Sequence, residues 1–261
     1  MDIAGLMTKP WALKQNVLKL VSDVYECYLE NGEINAGIFE NDVSVEDNYR
    51  VSEGVAYVPI RGIITKKPSI FHHFLIPLTS IMEIKSNFKS ALKNPAVKKI
   101  VLEIDSPGGS VDGVAEFSDL IFEARERKPI VAHASGLITS AAYWIGSSAD
   151  KIYATNGSEV GSIGVYTILR DFSMAEHNAG ITTHFIKAGE FKAMGHPSKP
   201  LTDPERNEFQ DQVNTYYGFF VDAVKRNRKM STDRALQLAT GKVFIGENAL
   251  KMSLIDGLLT P

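Results

Sequence analysis

The chain has 261 residues, of which 44% are hydrophobic and 23% charged, a composition typical of globular proteins rather than of disordered or fibrous ones. Its net charge of -3 excludes the strongly basic surface of a nucleic-acid-binding domain, so we expect no nucleic-acid partner. The single cysteine, Cys27, excludes an internal disulfide framework and favours a reducing compartment, and we interpret it as a small buried hydrophobic residue.

Residues 1–53 are predicted to form a helical N-terminal arm and a linker. Apolar residues between Leu13 and Val24 recur at the spacing of an amphipathic helix, and the sequence from residue 35 to 54 is polar and acidic. The early Asp2 and the interrupting lysines are unlike a signal peptide, and no stretch approaches the roughly 20 apolar residues of a membrane span. We therefore expect a soluble, cytoplasmic protein without a membrane span.

Residues 54–261 are predicted to form one domain in which strands alternate with helices. This order indicates an α/β fold with a mostly parallel sheet. The continuous apolar centre of 97–105 indicates a strand that is buried on both faces. The predicted strands are 54–64, 97–105, 129–135, 151–155 and 181–187, and the predicted helices are 78–94, 111–127, 139–149, 203–228 and a segment from Ser231 to Gly241.

The sequence DSPGGSV, residues 105–111, lies between a predicted strand and a predicted helix. Ligands of α/β proteins collect at the carboxyl ends of strands. The adjacent Gly108 and Gly109 let the backbone approach a ligand and expose N–H groups that could stabilise an oxyanion or bind a phosphate. The stretch matches neither GxGxxG nor GK[ST], which disfavours phosphate, and a tight turn without a ligand is the other interpretation.

The sequence GLITSAAYWIG, residues 136–146, places Ser140 at the start of a predicted helix. The helix dipole would modestly favour a serine alkoxide there, and the N–H of Ala141 could join an oxyanion hole. The small Ala141 and Ala142 leave room for a peptide. Alternatively, Ser140 only caps a tightly packed helix.

A nucleophilic serine needs a general base. Lys192 is a candidate because it lies between Phe191 and Ala193, and a lysine that is shielded from water can lose its charge near neutral pH. A solvated loop lysine is the alternative interpretation. A Ser-His-Asp triad has no motif to support it, although the chain has six histidines: His72, His73, His133, His177, His184 and His196.

The glycine-rich stretch GSEVGSIGV, residues 157–165, is compatible with two interpretations. It could be a bulged connection between strands. It could also shape a groove through Gly161 and Gly164, with Ser162 offering a hydroxyl to a neighbouring base.

Taken in order, DSPGGSV, TSAAYWIG, GSIGV and GEFKAMG resemble the motifs of the signal peptide peptidase A family of serine peptidases. Ser140 and Lys192 are 52 residues apart, similar to the spacing in short members, and the resemblance covers residues 55–258. It implies the Clp protease/crotonase-like fold, with repeated β-β-α units, a mostly parallel sheet and a Ser-Lys dyad.

Carried over residue by residue, the resemblance implies Ser140 as nucleophile and Lys192 as general base and acid, with Ser162 orienting the lysine amine. The N–H groups of Gly109 and Ala141 would form the oxyanion hole. One departure is that the family's Ser-Gly-Gly-Tyr is Ser-Ala-Ala-Tyr here, which keeps the N–H and adds methyl groups. The substrate groove would be lined by Gly108, Gly161 and Gly164.

The resemblance implies a serine endopeptidase that uses no metal or other cofactor and acts on extended polypeptide segments as a homo-oligomer. The missing anchor favours the bacteriophage branch, whose members cleave capsid and scaffold proteins; the protein would then act in the host cytoplasm or the procapsid. The alternatives are a soluble cellular signal-peptide-peptidase-like protease, a non-proteolytic oligomeric assembly module of the same fold, and an acyl-CoA enzyme of the crotonase type.

Overall fold

The computed structural model describes residues 49–66 and 78–259, together with the backbone of residues 11–13. Residues 11–13 fall within the predicted N-terminal arm, and they form a strand. The rest of the predicted N-terminal helix, Cys27, His72 and His73 lie outside the described residues.

Strands and helices alternate along the chain, as the sequence predicts. The strands are β1 (Trp11–Leu13), β2 (Arg50–Ser52), β3 (Val55–Arg61), β4 (Ile63–Thr65), β5 (Leu78–Ser80), β6 (Lys99–Ser106), β7 (Gly108–Ser110), β8 (Ile130–Thr139), β9 (Lys151–Ala154), β10 (Glu159–Gly161), β11 (Val243–Ile245) and β12 (Gly257–Leu258). The helices are α1 (Ile81–Lys93), α2 (Val114–Ala124), α3 (Ala141–Ser147), α4 (Ser173–Asn178), α5 (Asp203–Asn227), α6 (Thr232–Leu238) and α7 (Gly246–Lys251).

The strands of the described residues form a larger and a smaller sheet. The larger sheet has the order β11-β10-β8-β6-β3-β2, with β9 and β12 attached through β8, and its strands β3, β6, β8 and β10 are parallel. The smaller sheet has the order β1-β7-β4-β5. Each of β3 and β6 continues into a short strand of the smaller sheet before the next helix. The predicted α/β architecture, with β-β-α units and a mostly parallel sheet, is confirmed.

Apolar spacing explains which faces of these elements are buried. In α1 the buried Ile81, Ile84 and Phe88 recur every three or four residues, which places them on one face of the helix. In β6 the buried residues alternate with exposed or half-buried ones, because only one side of the strand meets the core. The prediction that this strand is buried on both faces is therefore wrong.

The segment from residue 165 to 202 differs from the sequence prediction. Residues 181–187, a predicted strand, form no strand, and most of them are exposed; Ile186 is fully exposed. Their apolar alternation has no neighbouring strand to pair with. At the other end of the domain, β2 pairs with β3, so the larger sheet begins inside the predicted linker. The division of the chain at residue 53 stays a prediction.

Candidate active site

Two parallel strands of the larger sheet place the predicted nucleophile beside the predicted orienting serine. Thr139, the last residue of β8, is the register partner of Gly161, the last residue of β10. Ser140 and Ser162 follow these paired positions directly. Since neighbouring strands lie about 4.8 Å apart, the register brings the two serines together at the carboxyl edge of the sheet.

Ser140 has the backbone of a constrained site residue. Its φ of 56° and ψ of -124° lie where residues with a side chain are rarely found, and it is only 1% exposed. Its N–H donates to the carbonyl oxygen of Gly161 at 2.7 Å, and its carbonyl accepts from the N–H of Trp144 at 2.9 Å. Such a conformation costs about 1–3 kcal/mol and is typical of functional positions.

The hydroxyl of Ser140 makes no capping hydrogen bond, although Ser140 occupies the N-cap position of α3. The alternative interpretation, in which Ser140 serves only as a helix cap, therefore has no capping hydrogen bond to support it. The next residue, Ala141, is in the first turn of α3, where backbone N–H groups have no partner within the helix. Its N–H is therefore available for the predicted oxyanion hole.

The Gly-Gly turn is held by side chains that the sequence analysis missed. Buried Ser106 donates its hydroxyl to the carbonyl of Gly62 at 2.6 Å and accepts from the N–H of Gly108 at 3.2 Å. The carboxylate of Asp105 accepts from the N–H of Leu137 at 2.9 Å, which ties the end of β6 to β8. The sequence signal for these contacts is the pair Asp105 and Ser106, two short polar residues directly before Pro-Gly-Gly.

Gly108 and Gly109 are required by two different constraints. Gly108 has a φ of 99°, which favours glycine. A Cβ atom on Gly109 would lie 1.9 Å from the carbonyl oxygen of Ile64, because β4 and β7 run side by side at this point. β7 also packs against α3. The turn thus brings a backbone without side chains to the helix that begins after Ser140.

Ser162 also has a left-handed backbone, with a φ of 52°, and is 9% exposed. Its N–H donates to the carbonyl of Lys242 at 2.8 Å. The preceding Gly161 has a φ of 99°, and a Cβ atom there would lie 3.2 Å from the same carbonyl. Gly164 has no such constraint, because the nearest atom to a Cβ would be 3.6 Å away.

Lys192 is not brought to the two serines. It lies exposed in a turn, where its N–H donates to the carbonyl of Gly189 at 3.2 Å, and its side-chain nitrogen has no hydrogen bond or ion pair among the described residues. The neighbouring Phe191 is 42% exposed, so the expected apolar shielding of Lys192 is not formed. The catalytic role of Lys192 stays a prediction.

The described histidines have no observed contact with either site serine. His133 lies in β8, seven residues before Ser140, which corresponds to about 23 Å along an extended strand. His177, His184 and His196 are exposed in the 165–202 segment. None of the four has a hydrogen bond to Ser140 or Ser162 in the described part of the chain.

Two further hydroxyls near the sheet edge are buried without a hydrogen-bond partner among the described residues. They belong to Thr139, directly before the predicted nucleophile, and to Tyr166, four residues after Ser162. Burial raises the pKa of Tyr166 to about 12. No sequence signal marked either residue.

Two other features concern cofactors and membranes. In the residue ranges that the structure describes, no group of three or more His, Cys, Asp or Glu side chains is placed to hold a metal ion. No helix of those ranges combines the length and the apolar content that crossing a bilayer requires.

Comparison with known proteins identifies a family. The model of peptidase family S49 matches residues 123–260, a range that includes Ser140, Ser162 and Lys192 but not the Gly-Gly turn. A protein of Methanocaldococcus jannaschii, provisionally named a protease, is 37% identical over 164 residues, which cover 63% of this chain and 53% of that protein.

Two further relatives come from a bacterium and from a phage. An Enterococcus faecium protein, provisionally named signal peptide peptidase SppA, is 31% identical over 175 residues, covering 65% of this chain and 51% of that protein. Capsid assembly protease C of Escherichia phage lambda is 27% identical over 212 residues, covering 81% of this chain and 48% of that protein. The chain thus spans about half the length of the curated relatives it matches.

Proposed function

We propose that this chain, which belongs to peptidase family S49, is a serine endopeptidase that hydrolyses peptide bonds in extended polypeptide segments. The observation that carries the proposal is the state of Ser140. It is held in a strained conformation at the carboxyl edge of a parallel sheet, its hydroxyl is not used as a cap, and α3 packs against the glycine strand β7. A serine in this arrangement is available to attack a carbonyl.

The proposed reaction has two steps. The hydroxyl of Ser140 attacks the peptide carbonyl while Lys192 accepts its proton, and the N–H groups of Gly109 and Ala141 hold the oxyanion. Lys192 then passes the proton to the leaving amine, and water hydrolyses the acyl-enzyme in a second round of the same chemistry. Ser162 is proposed to orient the lysine amine, and Gly108, Gly161 and Gly164 to line the groove.

The mechanism requires that the 165–202 segment close over the sheet edge, because Lys192 is exposed as it stands. This segment carries a row of exposed apolar side chains, including Phe172, Ile186 and Phe191. Covering them with substrate or with a second copy of the chain would remove water from around Lys192. A desolvated amine is more readily neutral, which is the form that a general base needs.

The proposed substrates are capsid or scaffold polypeptides, and the proposed setting is the host cytoplasm or the procapsid. The support is the similarity to a phage capsid assembly protease over 81% of this chain. A cellular substrate of the kind that signal peptide peptidases receive is the alternative, supported by the Enterococcus faecium relative.

The first test uses a fluorophosphonate, which labels activated serines, on the wild type, Ser140→Ala and Ser135→Ala. Ser135 is the control because it is an exposed serine on the same strand. We expect Ser140→Ala to lose labelling and at least about a thousandfold of peptide hydrolysis, with Ser135→Ala unchanged. Residual hydrolysis within tenfold of the wild type, in preparations free of contaminating proteases, would contradict the assignment.

The second test addresses the base. Lys192→Arg should be inactive, because a guanidinium keeps its proton, whereas Lys187→Arg in the same segment should retain activity. Wild-type activity should rise with pH, since the neutral amine is the working form. If Lys192→Arg cleaves normally, the base is a histidine, and His133 and His177 are the first to replace.

A non-proteolytic assembly module is the second candidate, and the exposed position of Lys192 favours it. It predicts a wild-type chain that neither reacts with the fluorophosphonate nor cleaves peptides, yet still assembles. The first test therefore separates the two functions without any variant.

A further inference from the structure

The glycine strand β7 has a neighbour on both edges. On one edge it runs parallel to β4, with Gly109 opposite Ile64. On the other edge it pairs antiparallel with β1, the chain's own residues 11–13. Without β1, this second edge would present unpaired backbone groups, which is the feature that lets an extended peptide add to a sheet.

The register places β1 across the proposed oxyanion donor. Ala12 is the partner of Gly109, and the flanking pairs are Trp11 with Ser110 and Leu13 with Gly108. A substrate that adds to β7 as an extended strand has to lie along this same edge, because β4 holds the other one. The strand β1 and an extended substrate therefore cannot occupy it together.

We propose that residues 11–13 are an intramolecular inhibitor strand, which holds the polypeptide-binding edge of β7 and has to leave before a substrate can bind. The inhibitory role rests on the proposed peptidase function, whereas the occupancy of the edge rests on the backbone pairing alone. The partner that displaces β1 is an extended polypeptide, since only a backbone of alternating donors and acceptors reproduces the pairing.

The size of β1 suits a strand that exchanges with substrate. It has three residues, and Pro10 directly before it has no N–H to add to the ladder. Each backbone hydrogen bond contributes little net stability in water, so a ladder this short is weak. Because β1 belongs to the same chain as β7, its binding is intramolecular, at an effective concentration of the order of millimolar, and it can compete with dilute substrate.

The test replaces Ala12 by proline in the full chain, since proline removes an N–H and disfavours strand pairing. Ala36→Pro is the control, because it makes the same substitution elsewhere in the first 48 residues. Hydrogen exchange of the amides at 108–110 is measured in a Ser140→Ala background, so that this readout does not depend on catalysis. Hydrolysis of an unstructured peptide is measured in the otherwise wild-type chain.

If β1 occupies the edge nine-tenths of the time, only one-tenth of the molecules are free to bind substrate. We therefore expect Ala12→Pro to speed amide exchange at 108–110 about tenfold. It should also lower KM about tenfold and leave kcat unchanged. Ala36→Pro should change neither. A synthetic peptide of residues 6–18 should inhibit the wild type competitively, a measurement that depends on no variant folding correctly.

Unchanged exchange at 108–110 in Ala12→Pro would overturn the proposal, as would faster exchange with an unchanged KM or a peptide that fails to inhibit. The failure of the peptidase function looks different: neither the wild type nor Ala12→Pro would react with the fluorophosphonate or cleave peptide. Faster exchange in that case would show that β1 occupies the edge while refuting its inhibitory role.

Discussion

Gly109 is the residue whose substitution the structure constrains most directly. In Gly109→Ala the new Cβ atom would meet the backbone oxygen of Ile64 at 1.9 Å, so β4 and β7 would have to separate. We expect a loss of at least about 2 kcal/mol in the free energy of unfolding, measured by denaturant titration. Gly164→Ala is the matched control and should stay within about 0.5 kcal/mol, because its Cβ would be 3.6 Å from the nearest atom. Equal effects at the two positions would contradict the close approach of β4 to β7.

Individual residues also show which features of the candidate site can be predicted from the sequence and which cannot. The motifs singled out Ser140 and the two glycines of the turn, since each residue type has a chemical or steric reason to be there. They did not reveal the left-handed backbone of Ser140, because a tertiary hydrogen bond to Gly161, 21 positions away, helps to fix it. Lys192 was also placed in apolar surroundings on local sequence alone, and local sequence does not determine what covers an exposed turn.

Among the elements, α3 is attached to its neighbours by a buried polar cluster at its carboxyl end. The Asn227 side chain of α5 donates to the hydroxyls of Ser147 and Ser148, each at 3.0 Å, and Ser148 meets Ser118 of α2 at 2.6 Å. Trp144 of α3 also stacks on Phe220 of α5, with ring centroids 4.7 Å apart. These contacts fix the helix that follows the proposed nucleophile.

We expect Asn227→Ala to lower the free energy of unfolding by about 2–4 kcal/mol, because two buried hydroxyls lose a donor and a cavity is left. Asn214→Ala, on an exposed part of the same helix, should cost less than about 0.5 kcal/mol. Both variants can be compared by denaturant unfolding. A small effect at Asn227 would mean that water or another side chain replaces the amide.

Element prediction succeeded where burial and periodicity agree. The apolar spacing of α1 is visible in the local sequence, and so is the N-cap of α6, for which the sequence offers Ser231 or Thr232; the hydroxyl of Ser231 accepts from the N–H of Arg234. Residues 181–187 were not, since alternation predicts a strand only if a partner strand exists. β1 was missed for the opposite reason: three residues with no strand pattern pair with a strand almost a hundred positions away.

At the scale of the whole chain, one ion-pair cluster attaches the C-terminal segment to the domain. Asp256 accepts hydrogen bonds from Arg228 at 2.7 Å and from the N–H of Ile152 at 2.8 Å, and Lys151 lies 3.2 Å away. Burial opposes the ionisation of Asp256, but these bonds outweigh it, so the pKa of the carboxyl is lowered in the folded chain.

A carboxyl with a lowered pKa stabilises the fold at pH values above its unfolded pKa, and this contribution disappears as the pH falls through the folded value. We expect Asp256→Asn to lose about 3 kcal/mol at pH 7, because Arg228 is left buried without its partner. The difference from the wild type should shrink below about pH 4. Denaturant titrations at both pH values test this, with the exposed Asp222→Asn as the control.

The surface of the 165–202 segment leads to a prediction about assembly. Met174, Ile181 and Ile186 are 69%, 56% and 102% exposed, and a run of such side chains is rarely left in water. We expect light scattering at micromolar concentration to give a mass well above 28.7 kDa. Ile186→Asp should lower that mass, whereas Met82→Asp, at an exposed position on α1, should not. A wild-type monomer would refute the homo-oligomer.

The pairing of Thr139 with Gly161 also affects how this chain can evolve. The distance between Ser140 and Ser162 is set by the hydrogen bonds between β8 and β10. It does not depend on the length of the turn that leads into β10, where Gly157 has open space around it. Insertions in that turn would leave the serines in place, whereas a one-residue slip of β10 would turn its side chains to the opposite face. Related sequences are therefore expected to vary in this turn, while the strand register keeps Ser140 beside Ser162.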